Sequence, residues 1–290
     1  MYQEESFYGN FVIGNCTTGY YKKFRNYLTA LSDKEKEMKK VILKSEKLCK
    51  SFANEGTQNH VLDNVDLEIY EGDFTVVMGS SGSGKSTLLY SLSGMDVPTS
   101  GKIFYKETEL TALKEKKMAD FRSKEFGFVF QQVHLVSNLS LMENILVPGY
   151  LDKGKTAEQV KERALELMEQ MNIREAKDRL PSQVSGGEAQ RAAMARAIIN
   201  EPGLLFADEP TGALNHKNTV DVLDLMTEIN KKGQSVLMVT HDVRAALRGN
   251  RLIYLEDGKI CGEMELPPFD EKDTKDREIQ VNSWLSSMHW

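Results

Sequence analysis

The sequence has few cysteines and no long apolar run, and each absence excludes a class of protein. Cys16, Cys49 and Cys261 lie far apart and are odd in number, which indicates reduced thiols rather than a disulfide framework or a zinc site. No stretch approaches the roughly 18 consecutive apolar residues of a membrane-spanning helix, and the N-terminus lacks the basic-then-apolar pattern of a secretory signal. We therefore expect an intracellular protein that does not cross a membrane.

An excess of positive charge is also missing. The net charge of −6 argues against a protein that binds the phosphate backbone of nucleic acid, so we expect no nucleic-acid partner. With 290 residues, 40% of them hydrophobic and 28% charged, the chain can bury a full core in one large domain or two small ones.

The most informative stretch is residues 79–87, GSSGSGKST, which match the phosphate-binding pattern G-x-x-x-x-G-K-[ST]. A short β-branched run precedes it and helical spacing follows, as the motif requires. The glycines let backbone N–H groups and the helix end face the phosphates, and the lysine adds a positive charge. The Ser86 hydroxyl supplies an oxygen for Mg²⁺. The predicted nucleotide-binding residues are Gly79, Ser80, Ser81, Gly82, Ser83, Gly84, Lys85, Ser86 and Thr87.

Polar residues follow three other apolar runs: Gln131, the pair Asp208 and Glu209, and His241. The carboxyl edge of a parallel sheet is where α/β folds place their ligands. A carboxamide at Gln131 can reach a metal, Asp208 can hold Mg²⁺ through its water shell, and Glu209 can deprotonate the attacking water. A lone histidine in a sheet is often a core residue, but the position of His241 after a strand favours a role at the γ-phosphate.

The remaining pattern predicts how the chain is organised. Residues 41–70 alternate as antiparallel strands do, and residues 133–200 form a helical insert with apolar stripes at 157–171 and an alanine-rich helix at 188–199. Residues 267–290 form an acidic, weakly helical tail. The fold class is α/β, with a phosphate-loop core built on a mainly parallel sheet, an N-terminal antiparallel β subdomain and an inserted α-helical subdomain.

Residues 1–37 show no sustained period and precede Met38. They are either a dispensable extension before a domain spanning residues 38–266, or a small amphipathic element around residues 20–31 that touches a membrane or partner. Phe52 also has two interpretations, since its ring could stack on a purine or lie in the core.

A second anion site is predicted at residues 184–191, VSGGEAQR, where Ser-Gly-Gly opens a helix. The chain's own phosphate loop already provides one nucleotide site. The second site must therefore serve a different nucleotide.

With these motifs in place, the chain resembles the nucleotide-binding subunit of an ATP-binding cassette (ABC) transporter over about residues 41–266. Residues 79–87 resemble the Walker A loop, Gln131 the Q-loop glutamine, residues 184–191 the family signature and Leu204–Asp208 the Walker B strand. The resemblance implies that Glu209 is the catalytic base, His241 the switch histidine and Phe52 the adenine-stacking aromatic.

The resemblance also implies partners and cofactors. In this family two cassettes pair head to tail around two ATP molecules, with Mg²⁺, so a second copy of the chain is expected. The signature residues of one copy would then contact the γ-phosphate held by the other. These residues are Ser185, Gly186, Gly187 and Glu188.

The segments FGFVFQ, ADEPTGALN and VTHDVRAALRGNR are similar to the lipoprotein-release, macrolide-export and bacitracin-resistance branch. That similarity implies a separate integral-membrane permease and a peripheral position at the cytoplasmic face of the membrane. Asn215 departs from the family, which usually has Asp after Gly-Ala-Leu.

Two alternative functions differ from that of a transporter subunit in the partner on which ATP hydrolysis acts. One is a soluble ABC ATPase of translation or DNA repair. Translation-type members usually carry two cassettes on one chain, and repair-type members insert a long coiled coil between Lys85 and Ser185; neither feature is in this sequence. The other is a regulator resembling the cell-division ATPase, which acts on a wall hydrolase through a membrane partner.

Overall fold

The computed structural model describes residues 39–54, 57–288 and 290. The predicted extension over residues 1–37, its amphipathic element and Met38 lie outside the described residues, and the domain bounds at 38 and 266 stay a prediction. Among the described residues, no helix is both long enough and apolar enough to cross a membrane.

The strands of the described chain form two sheets. The first has the order β2-β1-β4-β5 and is antiparallel throughout. The second has the order β10-β9-β3-β8-β7-β6, with β10 antiparallel to β9 and all other neighbours parallel. In chain order the strands are β1 (Val41–Asn54), β2 (Thr57–Tyr70), β3 (Phe74–Met78), β4 (Ser100–Tyr105), β5 (Thr108–Glu109), β6 (Phe126–Phe130), β7 (Leu204–Asp208), β8 (Ser235–Val239), β9 (Arg251–Glu256) and β10 (Lys259–Glu265).

Helices connect the parallel strands and cover the second sheet. The described chain also has 3₁₀ turns at Leu110–Ala112, Arg174–Ala176, Pro181–Gln183 and Glu271–Asp273. The α-helices are α1 (Lys85–Leu92), α2 (Glu115–Glu125), α3 (Leu141–Gly149), α4 (Ala157–Gln170), α5 (Gly186–Ile198), α6 (His216–Lys231), α7 (Val243–Ala246) and α8 (Thr274–Ser287).

The two sheets differ in sequence pattern because they differ in exposure. Every residue of β3, β7 and β8 is buried, as expected of parallel strands covered on both faces. In β2, by contrast, Val65, Leu67 and Ile69 are buried and alternate with polar residues, because successive side chains of a strand point to opposite faces. The predicted α/β fold, with a mainly parallel sheet and an antiparallel sheet before it, is confirmed.

Strand β7 separates two hydrophobic cores. Leu205 and Ala207 belong to a core shared with the helical insert, in which Met168 of α4 is fully buried. Leu204 and Phe206 belong to a second core shared with α1 and the antiparallel sheet. Alternate residues of one strand therefore hold the two cores on opposite faces of the parallel sheet.

The helical insert buries the apolar stripe that the sequence predicts. Its buried residues include Val160, Ala164, Leu167, Met168 and Met171, which lie on one face of α4 and its end, so the stripe packs as core. Helix α3 was not predicted.

The start of α3 is marked by a capping box between two nearby residues. Ser140 accepts a hydrogen bond from the backbone N–H of Glu143, and the Glu143 carboxylate accepts one from the N–H of Ser140. This reciprocal pair is a sequence-level signal for the start of a helix.

The weakly helical tail forms α8. Its Val281 and Leu285 are buried in the hydrophobic core that the parallel sheet shares with the helical insert. Arg277 is 3% exposed, and its guanidinium donates to the backbone carbonyls of Leu247, at 2.6 Å, and Gly249. Burial lowers the pKa of Arg277, but the carbonyl partners satisfy its donors and fix α8 beside α7.

Candidate functional site

The phosphate loop lies between the end of β3 and the start of α1. Gly82 and Gly84 have φ angles of 85° and 100°, in the left-handed region that favours glycine. A Cβ on Gly84 would also come within 2.8 Å of the Val61 carbonyl oxygen. The glycines thus let the loop curl against β2 and present the N-terminus of α1.

This loop forms one wall of a cleft of about 670 Å³. The opposite wall consists of side chains that follow β6, β7 and β8, because the carboxyl ends of parallel strands meet at one edge. The cleft is lined by Val61, Ser81, Gly82, Gly84, Lys85, Ser86, Thr87, Gln131, Asp208, Glu209, His241 and Trp290.

Lys85 lines this cleft and is 7% exposed; its ammonium group is the donor within it. It donates to the carbonyl oxygens of Gly79 and Ser80, both at 2.8 Å. Burial lowers the pKa of Lys85, while the charges of Glu209 and Asp208 act in the opposite direction. Phosphate oxygens can replace the two carbonyls as acceptors and would form stronger, charge-assisted hydrogen bonds.

Asp208 is held from two sides by side chains of α1. The Ser86 hydroxyl donates to its Oδ1 at 2.8 Å, and the Tyr90 hydroxyl donates to its Oδ2 at 2.5 Å. Burial, and then the bond to Asp208, raise the pKa of the Tyr90 phenol. Hydroxyl and carboxylate oxygens are the ligands that Mg²⁺ prefers, so this donor set fits that ion. Among the described residues, no cluster of three His, Cys, Asp or Glu side chains forms a metal site of its own.

Gln131 also lines the cleft, across from the phosphate loop. Its carboxamide lies so close to Gly212 that a Cβ there would come within 2.8 Å of Nε2. A larger residue at position 212 would therefore displace the Gln131 carboxamide from its present position.

Glu209 and His241 contact each other across the ends of β7 and β8. The His241 Nδ1 atom lies 2.8 Å from Glu209 Oε2. Glu209 has a φ of 45°, an uncommon backbone conformation for a residue with a side chain, and its N–H donates to the Val239 carbonyl at 2.9 Å. The structure thus brings the predicted base and the predicted histidine to the same mouth of the cleft.

The signature residues do not line this cleft. Ser185 caps α5: the Glu188 N–H donates to its Oγ at 3.2 Å, and the Ser185 N–H donates to Glu188 Oε2 at 2.8 Å. The Ser185 N–H and the Ser185 hydroxyl, which donates to Glu188 Oε2 at 2.7 Å, both stabilise the carboxylate and lower the pKa of Glu188. A Cβ on Gly187 would come within 2.6 Å of the Asn218 side chain, so the backbone is tightly packed there.

Asn215, the departure from the family pattern, caps α6. Its Oδ1 accepts a hydrogen bond from the Asn218 N–H at 3.0 Å. Asparagine and aspartate cap helices about equally well. Asn215 therefore provides the cap that aspartate would provide, without the negative charge.

The structure decides one of the two interpretations of Phe52 and adds a second aromatic residue to the cleft. Phe52 is 45% exposed, which excludes a core position, and the Lys50 Nζ atom lies 4.8 Å from its ring centre. Phe52 does not line the cleft, so its adenine-stacking role stays a prediction. Trp290 does line the cleft, and its ring lies edge-on to that of Tyr254, with 6.1 Å between the ring centroids. No signal in the sequence places an indole there.

Comparison with known proteins agrees with this geometry. A family model described as ABC transporter matches residues 62–212. The chain is 43% identical over 204 residues to the lipoprotein-releasing system ATP-binding protein LolD of Aquifex aeolicus (strain VF5), covering 70% of this chain and 91% of that protein.

Among solved structures, the ATP-binding cassette MJ0796, in a dimeric post-hydrolysis state bound to ADP and Pi, aligns with a TM-score of 0.73 and 35% identity. The alignment covers 79% of this chain and 100% of that one. A second dimeric structure of the same cassette aligns equally well. The chain therefore belongs to the ABC transporter family, as one of its ATP-binding, ATP-hydrolysing subunits.

Proposed function

We propose that two copies of this chain bind two ATP molecules in shared sites, and that their hydrolysis drives an integral-membrane permease of the lipoprotein-releasing type. One observation carries this proposal. Lys85, Glu209 and His241 line one cleft, whereas the signature around Ser185 lies outside it. A head-to-tail pair supplies each cleft with the signature of the other chain.

Binding of the triphosphate rests on the phosphate loop. Lys85 exchanges its two backbone carbonyl partners for β- and γ-phosphate oxygens, and the N-terminus of α1 faces the same charge. The Lys85 ammonium is already oriented by the loop. Little reorganisation is then needed when the nucleotide enters.

Hydrolysis uses Glu209 and His241, which contact each other at the mouth of the cleft. Glu209 accepts a proton from the attacking water. His241, in contact with that carboxylate, donates a hydrogen bond toward the γ-phosphate, because phosphoryl transfer depends mainly on positioning and charge stabilisation. Ser86, Asp208 and Gln131 would hold Mg²⁺, which when bound neutralises charge that develops on the phosphates.

The relatives support the assembly. MJ0796 is described as a dimeric cassette bound to ADP and Pi, and LolD as part of a lipoprotein-releasing system. By analogy, this chain sits at the cytoplasmic face of a membrane, bound to a permease.

The permease has a candidate docking groove between the parallel core and the helical insert. This groove of about 490 Å³ includes Phe128, Phe130 and Pro148. Val136 and Val147 on its rim are 49% and 48% exposed. An apolar groove of this kind suits one apolar helix of a partner. The groove overlaps residues 131–148, which follow the glutamine that we expect to sense the γ-phosphate.

Val147→Asp should weaken binding of the permease by about tenfold or more, because it buries an unpaired carboxylate in the interface. ATP binding by the isolated chain should not change. The measurement is the amount of permease that co-purifies from detergent-solubilised membranes. Ile279→Asp is the matched control, since Ile279 is 68% exposed on α8, and equal loss with both variants would contradict the assignment.

Tryptophan fluorescence should report nucleotide binding through one of the two tryptophans of the chain. Trp290 lines the cleft, whereas Trp284 lies in α8 and does not. MgATP should therefore change the emission of the wild type and of Trp284→Phe, while Trp290→Phe loses most of the change. A change that survives in Trp290→Phe and disappears in Trp284→Phe would contradict the placement of the nucleotide.

A further inference from the structure

Asp208 is attached to the phosphate-loop helix by two hydroxyl groups one helical turn apart. Ser86 donates to Oδ1 at 2.8 Å and Tyr90 donates to Oδ2 at 2.5 Å. Residues i and i+4 lie on the same helix face, so Ser86 and Tyr90 together address one carboxylate. Asp208 itself lies at the end of β7 and is only 9% exposed.

The two hydroxyls differ in their relation to the cleft. Ser86 lines it, but Tyr90 does not; its ring packs against the core formed by α1 and the antiparallel sheet. An entering nucleotide and ion would compete for Ser86. They would leave the Tyr90 bond to Oδ2 in place.

A rigid carboxylate matters at a metal site. Groups that hydrogen-bond to metal ligands fix their orientation, and their loss typically weakens metal binding by about 10- to 100-fold. Without a bond to Oδ2, the Asp208 carboxyl group could rotate about its terminal torsion, which is broad for aspartate.

We propose that Tyr90 is a positioning residue for the metal side of the nucleotide site, holding Asp208 so that Oδ1 faces Ser86 and the ion. This inference rests on the proposed function, in which Ser86 and Asp208 hold Mg²⁺. It adds a residue that the phosphate-loop and strand-end motifs do not include.

Tyr90→Phe tests the role, because it keeps the ring in the core and removes only the hydroxyl group. The affinity for a fluorescent ADP analogue is measured in EDTA and across a Mg²⁺ titration. In EDTA the variant should bind as the wild type does. The Mg²⁺ concentration that gives half of the maximal gain in affinity should rise about tenfold.

Two further variants separate positioning from packing. Tyr105→Phe removes a hydroxyl from the same core and should leave the Mg²⁺ titration unchanged. In an Asp208→Asn background, adding Tyr90→Phe should change the Mg²⁺ dependence no further, because a residue that acts through another shows coupled, non-additive effects.

The outcomes are distinguishable. An unchanged Mg²⁺ titration in Tyr90→Phe, a loss of affinity that is equal in EDTA and in Mg²⁺, or a full additional loss in the Asp208→Asn background would each overturn the positioning role. If the wild-type chain itself shows no gain in affinity with Mg²⁺, the proposed metal site fails, and the role of Tyr90 fails with it.

Discussion

Glu209→Gln should bind MgATP, form a dimer and hydrolyse about 10²- to 10⁴-fold more slowly than the wild type. The carboxamide keeps the shape and hydrogen-bonding reach of the carboxylate but cannot take the proton of the attacking water. Its contact with His241, 2.8 Å in the wild type, can persist as a neutral hydrogen bond. With binding intact and hydrolysis blocked, the ATP-bound dimer should accumulate, and light scattering measures it directly.

The control is the double variant Glu209→Gln, Ser185→Arg. Ser185 lies outside the cleft of its own chain, so arginine there should leave the first ATP contacts intact. Its bulk and misplaced charge should block closure onto the second chain, and the double variant should stay monomeric. A Glu209→Gln chain that hydrolyses at the wild-type rate and remains monomeric would contradict both the base and the shared site.

Lys85→Ala should abolish tight nucleotide binding. Two charge-assisted hydrogen bonds contribute roughly 1.5–3 kcal/mol each, so their loss should weaken binding by about a hundredfold or more. The backbone donors of the loop remain but cannot replace the ammonium charge at the β- and γ-phosphates. Isothermal titration calorimetry with MgATP measures the difference.

Lys102→Ala is the matched control, since the Lys102 side chain is 57% exposed in β4 and outside the cleft. It should bind nucleotide as the wild type does. Unchanged affinity in Lys85→Ala would remove the basis for placing the triphosphate in this loop.

The fold could be predicted because its signals are local and consistent. The runs Leu204–Asp208 and Ser235–Val239 are buried on both faces and read as continuous apolar strands. Each is followed by polar residues, which the sheet edge then brings together. The sequence therefore also predicts which strand-end side chains share the cleft.

Other parts of the site depend on contacts between distant segments. The bond between Tyr90 and Asp208 joins residues 118 positions apart, and neither the helix pattern nor the strand pattern implies it. The edge contact of Trp290 with Tyr254 likewise depends on how α8 folds back. Helix α3 is a different case, because Ser140 and Glu143 form a local capping pair, which predicts a helix start from the sequence alone.

The head-to-tail pairing is tested most directly by a cross-link between two chains. Ser81, which lines the cleft, is replaced by cysteine in one tagged chain, and Ser185 is replaced by cysteine in a second chain with a different tag. Both chains also carry Glu209→Gln, and their three native cysteines have been replaced by serine. A short thiol-to-thiol cross-linker is added with or without MgATP, and the products are separated under denaturing conditions. The shared site predicts a product of doubled mass that carries both tags and forms only with MgATP; chains that bind MgATP yet give no mixed product would contradict it.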